Sequence, residues 1–135
     1  MEPKIIKIKT IKSLNGDISI IDRKNNLPFE IKRIFYVHNI PQDSERGGHA
    51  HKTLEQFIWA INGILEIKAI SQSMKKFNYL LKSPYEGLYL PPMIWSNQFS
   101  RSKNSIYCVA ASDYYAEKDY IRDWEKFSKS LISKN

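Results

Sequence analysis

Short apolar runs separated by turn residues recur along the chain: "KIIKIKT", "DISIID", "IKRIFYVH", "LEQFIWAI", "ILEIKAI", "FNYLLK", "GLYLP" and "SIYCVAA". They are rich in Ile, Tyr, Phe and Val, whose branched and aromatic side chains fit a pleated surface, and they have the length of strands. Strands spaced in this way predict a β-sandwich or barrel. Asn62-Gly63 predicts a type I′ hairpin joining the runs on either side, because both residues tolerate positive φ. "SPYEG" reads as another turn. "LPP" at 90–92 ends a strand, since proline has no N–H to donate, and leaves a loop beside Trp95. Only the C-terminal segment "DYIRDWEKFSKSLISK" has helical spacing, with Tyr120, Trp124, Phe127 and Leu131 at i, i+4, i+7 and i+11. Core packing is the job expected of that stripe. Without repeats, low-complexity stretches or linkers, residues 1–135 read as one all-β domain with a short C-terminal α-helix.

Composition narrows the setting. With 135 residues, 42% of them hydrophobic, the chain can bury about two-thirds of its unfolded surface around one core. The single cysteine, Cys108, cannot form an intrachain disulfide, and its surroundings "IYCVAA" suit a small core residue in a reducing compartment. No run approaches the ~20 apolar residues of a membrane span, and the start "MEPKIIKIKT" lacks the features of a secretion signal. A cytoplasmic protein with no membrane partner is expected. Lys and Arg exceed Asp and Glu by 21 to 14, but neither a basic block nor a nucleic-acid-binding pattern accompanies the excess. Nucleic acid is therefore not the expected partner; a phosphate-bearing metabolite suits the charge.

The candidate chemistry lies in "RGGHAHK", where His49 and His51 are two residues apart. In a strand such residues share a face, and an unbroken ladder would put Thr53, Glu55, Phe57 and Trp59 on it too. Two imidazoles and the Glu55 carboxylate make a plausible metal set, and the spacing resembles the first motif of cupins, which are small β-barrels. Metal-binding cupins draw a further histidine from a second motif resembling P-x-G-x-x-H, but "PPMIWS" has Ser96 there. Cys108 lies in an apolar strand and His38 at a strand end, so the ligand set is short and neither metal nor other cofactor is expected. Histidines without a metal still move protons, because a pKa near ~6.5 lets the environment decide which ring gives and which takes. Two strand histidines could instead only satisfy buried hydrogen bonds. Arg33, Tyr36 and Arg46 beside them are what a site needs to hold a phosphate or a polarised carbonyl, and they favour function. By parity, Glu55 would face the pocket and orient His51, Gln56 would face away unless a bulge intervenes, and Lys52 would point outward.

"RGGHAHK", "RIFYVH", "SPYEGLYLPPMIWSNQFS" and "ASDYYAEKDYIRDWEKF" together resemble the nucleotide-sugar 3,4-ketoisomerases of the WxcM-like, FdtA and QdtA group, over nearly the whole chain. The resemblance implies a cupin-type β-barrel, a jelly roll, that without metal converts dTDP-4-oxo-6-deoxyglucose into a dTDP-3-oxo-6-deoxyhexose. Such a product leads to 3-amino-3,6-dideoxy sugars of bacterial surface glycans. It also implies a homodimer that exchanges N-terminal strands, giving "KIIKIKT" a partner. The reaction removes the C3 proton, acidified by the neighbouring ketone, and returns a proton to C4 through an enediol. On this reading His51 is the base and His49 shuttles or donates a proton to oxygen. Tyr36 steadies the enediolate, Arg33 and Arg46 hold the pyrophosphate, and Trp95 stacks on thymine or sugar. A non-catalytic dTDP-sugar-binding cupin and a metal-dependent cupin enzyme are the alternatives.

Overall fold

The computed structural model describes residues 1–132, with side chains through Ser130. In chain order the strands are β1 (Lys4–Lys7), β2 (Lys9–Ile11), β3 (Ile18–Ile20), β4 (Arg33–Val37), β5 (Glu45–His51), β6 (Gln56–Asn62), β7 (Leu65–Ile70), β8 (Lys76–Leu81), β9 (Glu86–Leu90), β10 (Trp95–Ser100), β11 (Ile106–Ala111) and β12 (Tyr120–Ile121). A 3₁₀ turn over Glu117–Asp119 precedes β12, and the helix α1 (Trp124–Ile132) follows it. Two five-stranded antiparallel sheets, ordered β1-β9-β6-β11-β4 and β12-β5-β10-β7-β8, pack face to face, and β2 and β3 form a separate two-stranded sheet. The result is a jelly roll whose sheets do not close into a barrel.

Alternation along each strand sets the core. In β7, Leu65, Ile67 and Ala69 are buried between the sheets while Glu66 and Lys68 face out. Ile58 and Ala60 of β6, Leu88 and Leu90 of β9, and Tyr107 and Val109 of β11 meet them from the other sheet. A second cluster covers the outer face of the first sheet, where Ile8, Leu27 and Phe29 lie over Phe57, Tyr89 and Ala110.

Three local expectations are corrected. Asn62-Gly63 does not close a hairpin, because β6 pairs with β9 and β11 while β7 pairs with β10 and β8. The turn instead carries the chain from one sheet to the other. Only Gly63 has positive φ, +84°, and the 102–105 loop holds the turn through Ile64 N–H to Ser102 Oγ (2.8 Å) and Asn62 Nδ2 to Asn104 O (2.8 Å). The loop expected beside Trp95 is present at 91–94, but "WSNQFS", which has no apolar alternation, forms a strand not expected from the sequence, β10; its inward Gln98 lines a polar cavity and donates Nε2–H to the buried Ser96 Oγ (3.2 Å). The helix starts four residues later than the stripe suggested. Asp123 caps it, accepting Glu125 N–H at Oδ1 (2.8 Å), and Trp124 and Phe127 pack on Trp95 at 5.2 and 5.7 Å between ring centroids. Tyr120 is left in a strand, and the Leu131 side chain lies outside the described residues.

Candidate active site

The two histidines lie at the end of β5, which runs between β10 and β12. His49 is opposite Ser96 and His51 opposite Tyr120. Their rings are 5.2 Å apart and nearly perpendicular, at 86°. The paired glycines before them make this placement possible. His49 pairs with Ser96 and Gly47 with Asn97, so Gly48 is an extra residue bulged from the ladder, and Gly47 and Gly48 have φ of +95° and +77°. A Cβ on Gly47 would lie 2.8 Å from the Ser96 carbonyl oxygen. The bulge also overrides parity. Arg46 pairs with Gln98, two residues from Ser96 on β10, so Arg46 and His49 line the same cavity although they are an odd number of residues apart.

Two cavities meet at the pair. One, of about 400 Å³, opens between the sheets. It has an apolar floor that includes Phe35, Val37 and Ile58, and its polar lining includes Arg46, His49, Gln56, Gln98 and Arg122. The other, of about 380 Å³, is lined by His51, Arg33, Lys52, Thr53, Asp119 and the 113–118 loop among others. Tyr120 lines both cavities. Its ring centroid lies 4.3 Å from that of His51 and 5.0 Å from that of His49, and the Arg122 guanidinium lies over it at 4.1 Å.

Charge is distributed unequally between the imidazoles. Burial, then the neighbouring His51 and Arg122, lowers the His49 pKa from 6.5 to about 4. Burial also lowers that of His51, but there Asp119 opposes the shift, its carboxylate Oδ2 lying 3.2 Å from His51 Nδ1. Asp119 is fixed in turn: Oδ1 accepts Thr53 N–H (2.9 Å) and Thr53 Oγ1 (2.7 Å), and Oδ2 accepts Leu54 N–H (3.2 Å). His49 Nδ1 and His51 Nε2 are buried without a hydrogen-bond partner among the described residues, and so is Arg33 Nε. Buried polar atoms left open in this way are where a ligand's oxygens would bind. Glu117 accepts Arg122 Nε (2.7 Å) and Nη2 (3.0 Å) and the Tyr115 hydroxyl; Arg122 is the main reason its pKa falls to about 2. No group of three or more His, Cys, Asp or Glu able to hold a metal occurs among the described residues.

Of the expected site residues, the structure brings His49, His51, Arg33 and Arg46 together at the two cavities. It places the other three elsewhere. Tyr36 is on the outer face of β4, 62% exposed and packed on His38, because strand alternation turns Arg33, Phe35 and Val37 inward and Tyr36 out. Trp95 points away from the cavities and anchors α1. Glu55 accepts a hydrogen bond from the Tyr89 hydroxyl (2.5 Å), whereas Gln56 lines the cavity with His49. The ladder breaks over residues 52–55, so the parity carried from His51 does not survive to Glu55. The carboxylate that meets His51 is Asp119, and the aromatic ring beside both histidines is Tyr120. Their only sequence signal was "EKDYIR", which reads equally well as the start of a helix.

Comparison with known proteins gives a consistent answer. The family model described as "FdtA: WxcM-like, C-terminal" matches residues 1–131. The TDP-4-oxo-6-deoxy-alpha-D-glucose-3,4-oxoisomerase of Aneurinibacillus thermoaerophilus is 38% identical over 139 residues, covering 100% of this chain and 96% of its own. Among solved structures, the sugar 3,4-ketoisomerase QdtA of Thermoanaerobacterium thermosaccharolyticum, in complex with TDP, superposes with a TM-score of 0.91 at 32% identity, covering 98% of this chain and 96% of its own. WlaRA, a TDP-fucose-3,4-ketoisomerase of Campylobacter jejuni, superposes with the same TM-score of 0.91 at 38% identity, covering 97% and 96%. The motifs, the jelly roll and these full-length matches converge: the chain belongs to the FdtA family of WxcM-like proteins.

Proposed function

We propose that the protein is a dTDP-sugar 3,4-ketoisomerase that converts dTDP-4-oxo-6-deoxy-D-glucose into a dTDP-3-oxo-6-deoxyhexose, supplying the synthesis of 3-amino-3,6-dideoxy sugars for surface glycans. The observation that carries this reading is the perpendicular pair of imidazoles, 5.2 Å apart, where two cavities flanked by arginines meet, in a chain matched end to end by isomerases of this kind.

The reaction needs one proton moved from C3 to C4 with no net change in electrons. His51 takes the C3 proton. The electron pair of that C–H bond forms the C3=C4 bond, and the C4 carbonyl oxygen receives a proton from His49 to give an enediol. In the second half a proton leaves the C3 oxygen and another is delivered to C4, regenerating a carbonyl at C3. Both rings have lowered pKa values and are neutral near pH 7, so each can accept or donate through its two nitrogens. Arg33 and Arg46, one on each cavity, suit the diphosphate oxygens, and Gln56 and Gln98 suit the sugar hydroxyls.

A homodimer with exchanged N-terminal strands is part of this proposal; β1, the strand expected to find its partner in a second subunit, pairs here with β9 of its own chain, Lys4 opposite Tyr89, so an exchange would put the identical strand of a second copy in that place. Among the described residues the β2–β3 hairpin pairs with no further strand, and Ile11, Leu14 and Ile18 on it are exposed, Leu14 completely. Three bare apolar side chains on one hairpin favour burial against a second copy. No described helix is long and apolar enough to cross a membrane. We place the enzyme in the cytoplasm, where nucleotide sugars are made and a lone free thiol such as Cys108 stays reduced.

The test is proton NMR of the purified protein with dTDP-4-oxo-6-deoxyglucose in D₂O, with and without EDTA. Conversion with deuterium entering at C3 or C4, unaffected by EDTA, supports histidine-mediated isomerisation. Binding of the sugar nucleotide without exchange would move the assignment to a non-catalytic binder, and activity lost to EDTA would move it to a metal enzyme.

A further inference from the structure

We propose that Asp119 is the positioning residue of this site: it accepts the Nδ1 proton of His51 and so fixes the tautomer in which Nε2 is the ring's free acceptor. The inference rests on the ketoisomerase reading for its kinetic consequence but on geometry alone for the tautomer.

The geometry is specific. His51 and Asp119 are 68 residues apart in sequence, yet Nδ1 and Oδ2 are 3.2 Å apart, and the two side chains are only 6% and 15% exposed. Thr53 N–H, Thr53 Oγ1 and Leu54 N–H donate to the same carboxylate. The main chain of Asp119 is tied to the same strand, since Lys52 N–H donates to its carbonyl at 2.9 Å and the next residue, Tyr120, is the ladder partner of His51. A carboxylate with this many donors cannot turn away from the ring without leaving several of them unsatisfied.

An ionised carboxylate only accepts, so the proton between the two groups belongs to Nδ1. Nε2 then carries the lone pair, and it is the nitrogen left buried without a partner among the described residues. A second electrostatic consequence follows. Arg33 reaches His51 from β4, Arg122 from beyond β12 and His49 from its own strand; both arginines disfavour a charged ring. Asp119 favours it, so a proton taken from carbon is held more stably on His51 than on His49.

The experiment is a long-range ¹H–¹⁵N correlation of the ¹⁵N-labelled full chain at neutral pH, on the wild type and on Asp119→Asn, alongside steady-state kinetics against pH. The expected wild-type spectrum has protonated Nδ1 and unprotonated Nε2 on His51. In D119N the amide keeps an acceptor for Thr53 but turns an N–H toward the ring, so the tautomer reverses. With it kcat falls ~100-fold or more while KM stays within about threefold, and the acid limb of kcat/KM moves to lower pH because the ring has lost its counter-charge. Thr53→Val removes one support of the carboxylate without touching the ring; it lowers stability and leaves the tautomer unchanged. An Nε2–H tautomer in the wild type, or D119N with wild-type tautomer or turnover, overturns the proposal. A wild type that gives the expected spectrum but does not isomerise the sugar overturns the ketoisomerase reading and leaves the Asp119 assignment standing.

Discussion

Mild acid should destabilise this protein through His49 before its carboxylates take part. Burial and the charges of His51 and Arg122 lower the His49 pKa from 6.5 to about 4. The unfolded chain therefore binds a proton at this residue below about pH 6.5 and the folded chain only below about pH 4. Between those values the unfolded state carries more protons, so stability falls as pH falls. At about pH 4.5 the unfolded imidazole is almost wholly protonated and the folded one about a quarter, which integrates to about 2.5 kcal/mol lost relative to neutral pH. Allowing for the partial exposure of the ring, about 2 kcal/mol is the expected contribution. His51 acts in the same direction, because its folded pKa is also below 6.5. The carboxylates act lower on the scale. Glu117 is held down to about 2 and Asp119 below its ordinary value, so the stability they contribute is lost only as pH falls through the carboxylate range. Urea unfolding followed by tryptophan fluorescence, at steps from about pH 7.5 to about pH 4.5, on the wild type and His49→Asn, isolates the histidine. H49N should lose about 2 kcal/mol less than the wild type over that interval. Parallel pH dependences for the two proteins would show that His49 is not held neutral by its surroundings and would refute the argument.

Other perturbations separate the roles of the neighbouring groups. His51→Asn, which keeps a polar side chain but cannot act as a base, should lower turnover ~100-fold or more while calorimetry finds dTDP binding within about threefold of wild type. Arg46→Ala removes an exposed guanidinium at the cavity mouth; KM should rise ~10-fold with kcat nearly unchanged, and the difference should shrink as salt is added. Phe127 is fully buried, so Phe127→Ala should cost about 3–4 kcal/mol in urea unfolding and loosen α1 from Trp95, with a change in tryptophan fluorescence. Gly47→Ala would press a Cβ against the Ser96 carbonyl at positive φ; activity should fall together with stability, by about 1–3 kcal/mol, as β5 and β10 shift beside His49.

What the sequence conveyed, and what it concealed, divides along physical lines. Apolar alternation marked β1, β3, β4, β6, β7, β8, β9 and β11, because those strands put one face against apolar neighbours. It missed β10, whose inward side chains are polar, Gln98 lining a cavity and Ser96 buried beneath its amide, and carry no hydrophobic signal. Asn62-Gly63 was correctly a turn but wrongly a hairpin: local chemistry fixes where the chain bends, whereas the partner of each strand is settled by packing between sheets. The site behaved likewise. His49, His51 and Arg46 lie within one motif, but Tyr36 and Glu55 were placed by parity and tyrosine chemistry alone. One exposed strand face and one broken ladder were enough to move them out.

Asp119, Tyr120 and Arg122 reach the histidine pair from the far end of the chain, and their placement sets the surroundings of both rings. A helix through this segment would have put Tyr120 on the face of Phe127, which is buried against Trp95. A 3₁₀ turn and two strand residues instead pair it with β5 and put successive side chains to different uses. Asp119 meets His51, Tyr120 lies against both imidazoles, and Arg122 lies over the tyrosine while held by Glu117. Where a metal-binding cupin would place a further histidine, Ser96 stands opposite His49, and the charge nearest the pair is the Asp119 carboxylate. A cation there would suppress protonation of both rings, whereas a carboxylate on one of them lets that ring take up a proton and release it again. That asymmetry separates the two rings: the Asp119 carboxylate supports a proton on His51, whereas His49 has no such partner and is held neutral by burial.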